Sequence, residues 1–295
     1  MPPQILAIDM DGTLVHPGGH ISPRNRVALQ RAHDAGVKVV IATGRRHNYA
    51  MKVLRTVDLP PETVVLSSNG TVARTVGGEL LFRRPLSLQS ARWLCAELGE
   101  FRNAFVLTFD LLGADGEDMP GALVMEELDD LHGSIRGWME ANAHFIRKVK
   151  PIEQILADGA DGASPMLPIQ AMLCGTMSRM KSAEDLLAAA PGHPVDLYRT
   201  EYPGRDLCIL DILPPGCSKG TGLQKLMEAA GMEGGLMSIG DNWNDLPMLE
   251  LADTPVLMAN APAALSRIAE ERGWTVTSDH QEDGAAEAIE AALAL

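Results

Sequence analysis

The sequence is poor in the residues that build several classes of protein. Cysteine occurs four times in 295 residues, at Cys95, Cys174, Cys208 and Cys217, with no Cys-x-x-Cys pair. That spacing offers neither a disulfide framework nor a thiolate metal centre, and reads as reduced, mostly buried thiols in a reducing compartment. Aromatic residues make up only 4% of the chain. Basic residues are outnumbered, with 25 Lys and Arg against 39 Asp and Glu and a net charge of −14. The nearest thing to a basic cluster, Arg45-Arg46-His47, is too short for a nucleic-acid patch. Neither nucleic acid nor an anionic membrane surface is therefore an expected partner. No apolar stretch reaches the roughly 20 residues of a membrane span. The opening Met-Pro-Pro-Gln has neither the basic nor the apolar segment of a secretory leader, and a cytoplasmic location is expected.

What is present is ordinary for a globular protein, with 46% apolar and 22% charged residues and length enough for two domains with cores. Short, nearly continuous apolar runs occur at Ile5–Ile8, Val37–Ala42, Thr63–Leu66, Leu236–Ile239, Pro255–Met258 and Trp274–Thr277. Continuous rather than alternating runs suit strands buried on both faces. Helical stretches lie between them. Ser22-Pro23 is a cap-and-proline start for a helix running to Ala35 and stopped by Gly36, and a second helix is predicted over Gly220–Ala230. Strand and helix in alternation predict a doubly wound parallel α/β sheet.

The middle of the chain reads differently. Helices are predicted over Ser87–Glu100, Asp129–Ala143 and Ser182–Ala190, with strand-like runs at Ala104–Phe109, Ala122–Met125 and Ile169–Leu173. A hairpin is predicted around Tyr202-Pro203-Gly204-Arg205. This pattern predicts an inserted α+β domain over residues 85–213, interrupting a core made of residues 1–84 and 214–295. Arg83-Arg84-Pro85 and Pro214-Pro215-Gly216 are its hinges, and residues 158–168 form a loop.

Four segments share one address. Asp9-Met10-Asp11-Gly12-Thr13 follows the first strand, Thr43-Gly44-Arg45 the second, Gly240-Asp241-Asn242-Trp243-Asn244-Asp245 the strand at 236–239, and Lys219 opens a helix. Groups beyond the carboxyl ends of parallel strands converge on one crevice. Asp9 and Asp11, two apart on an extended segment, are expected to face the same site, where their repulsion calls for a cation. Mg²⁺ takes one or two carboxylates plus waters and phosphate oxygens, and Asp9, Asp241 and a carbonyl near Asp11 suit it. Lys219, the Thr43 hydroxyl and the Gly44 amide suit a phosphoryl group. One carboxylate can attack phosphorus while the other exchanges protons with the leaving oxygen and then with water. Rival motifs fail. A calcium loop starting at Asp9 has Leu14 where glycine belongs, and Ser218-Lys219-Gly220 is not a P-loop.

The four segments, in this order and spacing, resemble the motifs of the haloacid dehalogenase-like phosphohydrolases, and in particular the Cof-type subfamily with a type 2B cap. Ser67-Ser68-Asn69-Gly70, Asn260-Ala261 and Glu282-Asp283-Gly284 add to the likeness. The resemblance implies a Rossmann-like core with the insert as cap. It implies Asp9 as nucleophile and Mg²⁺ ligand, and Asp11 as general acid/base with its carbonyl on the metal. Thr43, Gly44 and Asn244 are implied to bind phosphate, Lys219 to neutralise charge and Asp241 to bind the metal. Asp245 is implied to lie behind them, holding Lys219 or a metal water; capping the following helix is the other role open to it. Arg45 is open between contacting substrate and pairing with an acid. The expected activity is Mg²⁺-dependent hydrolysis of a small phosphorylated metabolite, with the insert closing over it and setting specificity. A phosphosugar mutase or phosphotransferase, or a non-catalytic sensor of a phosphometabolite, are the alternatives.

Overall fold

The computed structural model of the protein describes residues 2–113, 116–127, 133–158, 164–190, 192 and 194–294. The described residues divide into two compact units, one made of the chain up to Arg83 and from Cys217 onward, the other of Arg84–Gly216. The divisions fall at 83/84 and 216/217, where the sequence placed 84/85 and 213/214.

In the first unit the chain runs β1 (Ile5–Asp9), α1 (Pro23–Asp34), β2 (Lys38–Ala42), α2 (His47–Leu54), β3 (Val64–Ser67), β4 (Val72–Thr75) and β5 (Leu80–Arg83). The inserted unit follows with α3 (Leu88–Glu97), β6 (Phe105–Thr108), β7 (Leu123–Met125), α4 (Arg136–Asn142), β8 (Ile146–Lys148), β9 (Gln170–Gly175), α5 (Met177–Ala189), β10 (Asp196–Tyr202) and β11 (Leu207–Leu213). The chain then completes the first unit with α6 (Lys219–Ala230), β12 (Leu236–Gly240), α7 (Leu246–Leu251), β13 (Thr254–Met258), α8 (Ala263–Arg272), β14 (Thr275–Thr277) and α9 (Gly284–Leu293).

The first unit is built on an eight-stranded sheet in the order β14-β13-β12-β1-β2-β3-β4-β5. The six strands from β14 to β3 are parallel. Its apolar runs are continuous because both faces are covered. Leu6 and Ile8 pack on one side with Leu29 and Ala32 of α1 and Ile289 of α9, whereas Ile5 and Ala7 pack on the other with Leu223 and Leu226 of α6. The sheet departs from a purely parallel one at the edge, where β4 and β5 are antiparallel. The connection from β3 to β4 is too short for a crossover, so the chain can only reverse there. These strands were missed from sequence because β5 is short and largely exposed, and β4, though buried, is only four residues long and carries Arg74 and Thr75, so neither leaves an apolar run.

The inserted unit has a six-stranded sheet in the order β10-β11-β9-β6-β7-β8, antiparallel except for the β7–β8 pair. Leu94, Phe105, Leu173, Met180 and Ile212 belong to its core. The predicted hairpin is β10–β11, in which Tyr202 pairs with Leu207, although the left-handed residue of its turn is Asp206 and not Gly204. Of the helix predicted over 129–143, residues 136–142 form α4, and 129–132 lie outside the described residues. The helix predicted from Ser182 starts earlier, at Met177, because the Thr176 hydroxyl caps it by accepting the Arg179 N–H. Of the loop placed at 158–168, residues 164–168 carry no helix or strand, and 159–163 lie outside the described residues. Among the described residues no helix is long and apolar enough to cross a membrane.

Phe105 on β6 is 1% exposed. Phe105→Ala is expected to lower the stability of the inserted unit by about 3–5 kcal/mol, read from its denaturant unfolding midpoint.

Candidate active site

The strands run outward in both directions from the β1–β12 boundary, since β2 and β3 follow on one side of β1 and β13 and β14 on the other side of β12. This is the topological switch point where doubly wound sheets open a crevice. Asp9 ends β1, Thr43 follows β2 and Asp241 follows β12, so three neighbouring strands deliver them to the same end of the sheet. Lys219 is the first residue of α6, and a reciprocal capping box fixes that start. The Ser218 hydroxyl accepts the Thr221 N–H at 3.0 Å, and the Thr221 hydroxyl accepts the Ser218 N–H at 2.8 Å. Past Asp9 the chain must turn tightly under Asp241. Gly12 does this at φ +82°, where a Cβ would stand 2.3 Å from Asp241 Oδ2.

At the centre the Lys219 ammonium donates to Asp9 Oδ1 at 2.5 Å and to Asp245 Oδ1 at 2.6 Å, with all three side chains buried. Asp245 uses its other oxygen to accept the backbone N–H groups of Asp241 and Asn242, each at 3.0 Å. Asp245 thus holds the lysine, one of the two roles open to it in the sequence; it stands at the start of α7 without a side-chain capping hydrogen bond, and its second oxygen closes the preceding turn instead. Asp241 is held by Asn260, whose amide donates to Oδ2 at 3.1 Å and to the Gly12 carbonyl at 2.9 Å. Asp9 Oδ2 is buried with no hydrogen-bond partner.

Burial, together with the charge of Asp245, pushes the Asp9 carboxyl up to about 7 against the pull of Lys219. Burial and the neighbouring Asp9 hold Asp241 well above the carboxylate range. Burial would lower the lysine, but Asp245 and Asp9 outweigh it and push Lys219 up, so it stays an ammonium.

Asp9, Asp241 and Asp245 each offer an oxygen within 4.8 Å of one another. Three buried carboxylates facing one ammonium, with one oxygen unpartnered, fit a divalent cation. Asp245 is fully engaged by Lys219 and two amides, so the oxygens best placed for the ion are those of Asp9 and Asp241.

Asp11 is not part of this cluster. β1 ends at Asp9, and Asp11 beyond it stays close enough for its charge to help raise both Asp9 and Asp241. Asp11 is instead paired with Arg45, which answers the question the sequence left open for that arginine. Thr43 is fully buried, and its hydroxyl accepts the Arg45 N–H at 3.1 Å. Asn69 lies against Gly44, where a Cβ would stand 3.3 Å from its amide, and it accepts a hydrogen bond from Asn244 at 3.0 Å. The chain reaches this position through three consecutive residues at positive φ, Ser68, Asn69 and Gly70. Gly70 is required there, since a Cβ would lie 2.1 Å from the Ser218 carbonyl. Asn69 and Asn260 were noted in the sequence only as touches of resemblance. Their bracing roles depend on contacts with residues far along the chain, which spacing does not show.

A family model for haloacid dehalogenase-like hydrolases matches residues 6–289. The chain belongs to that family. It is 33% identical to the 5-amino-6-(5-phospho-D-ribitylamino)uracil phosphatase YwtE of Bacillus subtilis, over 98% of this chain and 97% of that protein. It is 30% identical to the HMP-PP phosphatase of Cronobacter sakazakii over 86% of this chain and 84% of that one. Among solved structures, a haloacid dehalogenase-like hydrolase from B. subtilis superposes with a TM-score of 0.76 at 21% identity, covering 97% of this chain and 99% of that one. Another from Bacteroides thetaiotaomicron gives 0.72 at 25% identity, covering 97% and 98%.

An acid whose folded pKa is raised keeps its proton in the folded protein while the unfolded chain has lost it. For Asp9 that window runs from 3.8 to about 7, so its contribution to stability falls as pH rises across it. In EDTA the melting temperature is therefore expected to fall between about pH 4 and 7 through this group. MgCl₂ is expected to raise it most at the upper end, and Asp241→Asn to remove most of that rise. Differential scanning fluorimetry across the pH series checks all three.

Proposed function

We propose that this haloacid dehalogenase-like phosphatase hydrolyses a small phosphate monoester through an aspartyl-phosphate on Asp9. The observation that carries this reading is the state of the Asp9 carboxylate. One oxygen is held on the Lys219 ammonium, and the other is buried and unpartnered on the residue that ends β1. Lys219 orients Asp9 and offsets the charge that gathers as two anions meet. The Thr43 hydroxyl and Gly44 amide receive phosphoryl oxygens, and Asn244, steadied by Asn69, completes the cradle. Asp9 attacks phosphorus in line, forming one P–O bond as the bond to the leaving alkoxide breaks. Asp11 gives that alkoxide its proton, then takes one from the water that hydrolyses the aspartyl-phosphate and frees Asp9 and inorganic phosphate. Mg²⁺, held by Asp9, Asp241 and the Asp11 carbonyl, would supply charge neutralisation at the phosphoryl oxygens.

Selection of the leaving group is assigned to the inserted unit. The relatives named for 5-amino-6-(5-phospho-D-ribitylamino)uracil and for HMP-PP make those two compounds the first members of a test panel, beside sugar phosphates.

Phosphate release from that panel, with Mg²⁺ and with EDTA, tests the reading. Wild type is expected to require the metal. Asp9→Asn is expected to lose on the order of 10⁴-fold or more in kcat while still folding and unfolding cooperatively. Retained turnover in that variant overturns the mechanism.

A further inference from the structure

We infer that Arg45 is the positioning residue for Asp11, fixing the proton-transfer carboxylate against the phosphate-binding loop. The inference rests on the phosphatase mechanism above. Asp11 lies beyond the end of β1, and its side chain is 42% exposed. A short carboxylate in a turn, half in water, has several rotamers open to it. Here one is selected by two hydrogen bonds from a single guanidinium, Arg45 Nε to Oδ2 at 2.7 Å and Nη2 to Oδ1 at 2.5 Å. Such a fork fixes the plane of the carboxylate as well as its place, which a single donor does not do. It leaves one lone pair on each oxygen for the transferred proton.

Arg45 is itself braced from two further directions. Its guanidinium lies over the Tyr49 ring, with Cζ 4.9 Å from the centroid. Its backbone N–H is bound to the Thr43 hydroxyl at 3.1 Å. The arginine therefore spans from the residue assigned to phosphate to the residue assigned to the proton, and its own side chain is only 15% exposed. Each carboxylate of Asp9-Met10-Asp11 is paired with a cation of its own, Asp9 with Lys219 and Asp11 with Arg45.

A double-mutant cycle on kcat tests this. Arg45→Ala and Asp11→Asn are each expected to lower kcat about 10²-fold or more, the range of general acid–base catalysis, with KM changed by less than roughly threefold. An asparagine at 11 cannot accept the fork, so the double variant is expected to be no slower than Asp11→Asn alone. Arg45→Lys, which offers a point charge in place of the fork, is expected to recover only part of the loss. It carries the same cycle if the alanine variant does not fold, folding being judged by the magnesium-dependent thermal shift. Losses that multiply in the double variant, or a raised KM with kcat unchanged, overturn the inference and make Arg45 a direct substrate contact. Full activity of Asp11→Asn would bring down the underlying mechanism instead, which separates the two failures.

Discussion

The Lys219 ammonium between Asp9 and Asp245 is the interaction on which the rest of the site depends. A carboxylate ending a central, fully covered strand sits where water cannot solvate it. Its ionised form is tolerable only beside a cation, and the cation must itself be desolvated. Lys219 meets that need because the capping box starts α6 at this residue, beside the end of β1. Asp245 serves as the second counter-ion and ties the lysine to the turn after β12 through the Asp241 and Asn242 amides. Charge balance, helix start and strand-end turn are thus one connected set, with Asp9 Oδ2 as its single unsatisfied atom.

A site assembled in this way is rigid where chemistry needs precision. Asp241 is held by Asn260 from the loop after β13, and the Asn244 amide by Asn69 from the loop after β3. The strain of three successive positive-φ residues at 68–70 is kept at the point where that loop passes Gly44 and the start of α6. Unfavourable backbone conformations persist where their surroundings over-determine them, and functional loops are where they gather.

Much of this was legible in the sequence, for physical reasons that differ from element to element. The parallel strands were visible because burial on both faces leaves uninterrupted apolar runs such as Ile5–Ile8. Residues after those runs were found because strand ends on one side of a parallel sheet share a crevice. Short, half-exposed β5 left no such mark. The partner of Asp11 was not legible either, because Asp11 lies beyond the end of β1 and spacing does not say which cation it meets. Pairing with Arg45 is a contact across 34 positions, decided by where β2 lies next to β1.

The order of the strands also bears on how the protein comes to exist. The central strand β1 pairs on one side with β2, close behind it in the chain, and on the other with β12, which begins at Leu236. Everything from Arg84 to Gly216 is synthesised in between. A ribosome-bound chain can therefore build half of the sheet and the whole inserted unit while Asp9 still lacks its lysine. The remaining quarter of the chain supplies both Lys219 and Asp245, so the buried charges around Asp9 are balanced by the same segment that pairs β12 with β1 and closes the sheet.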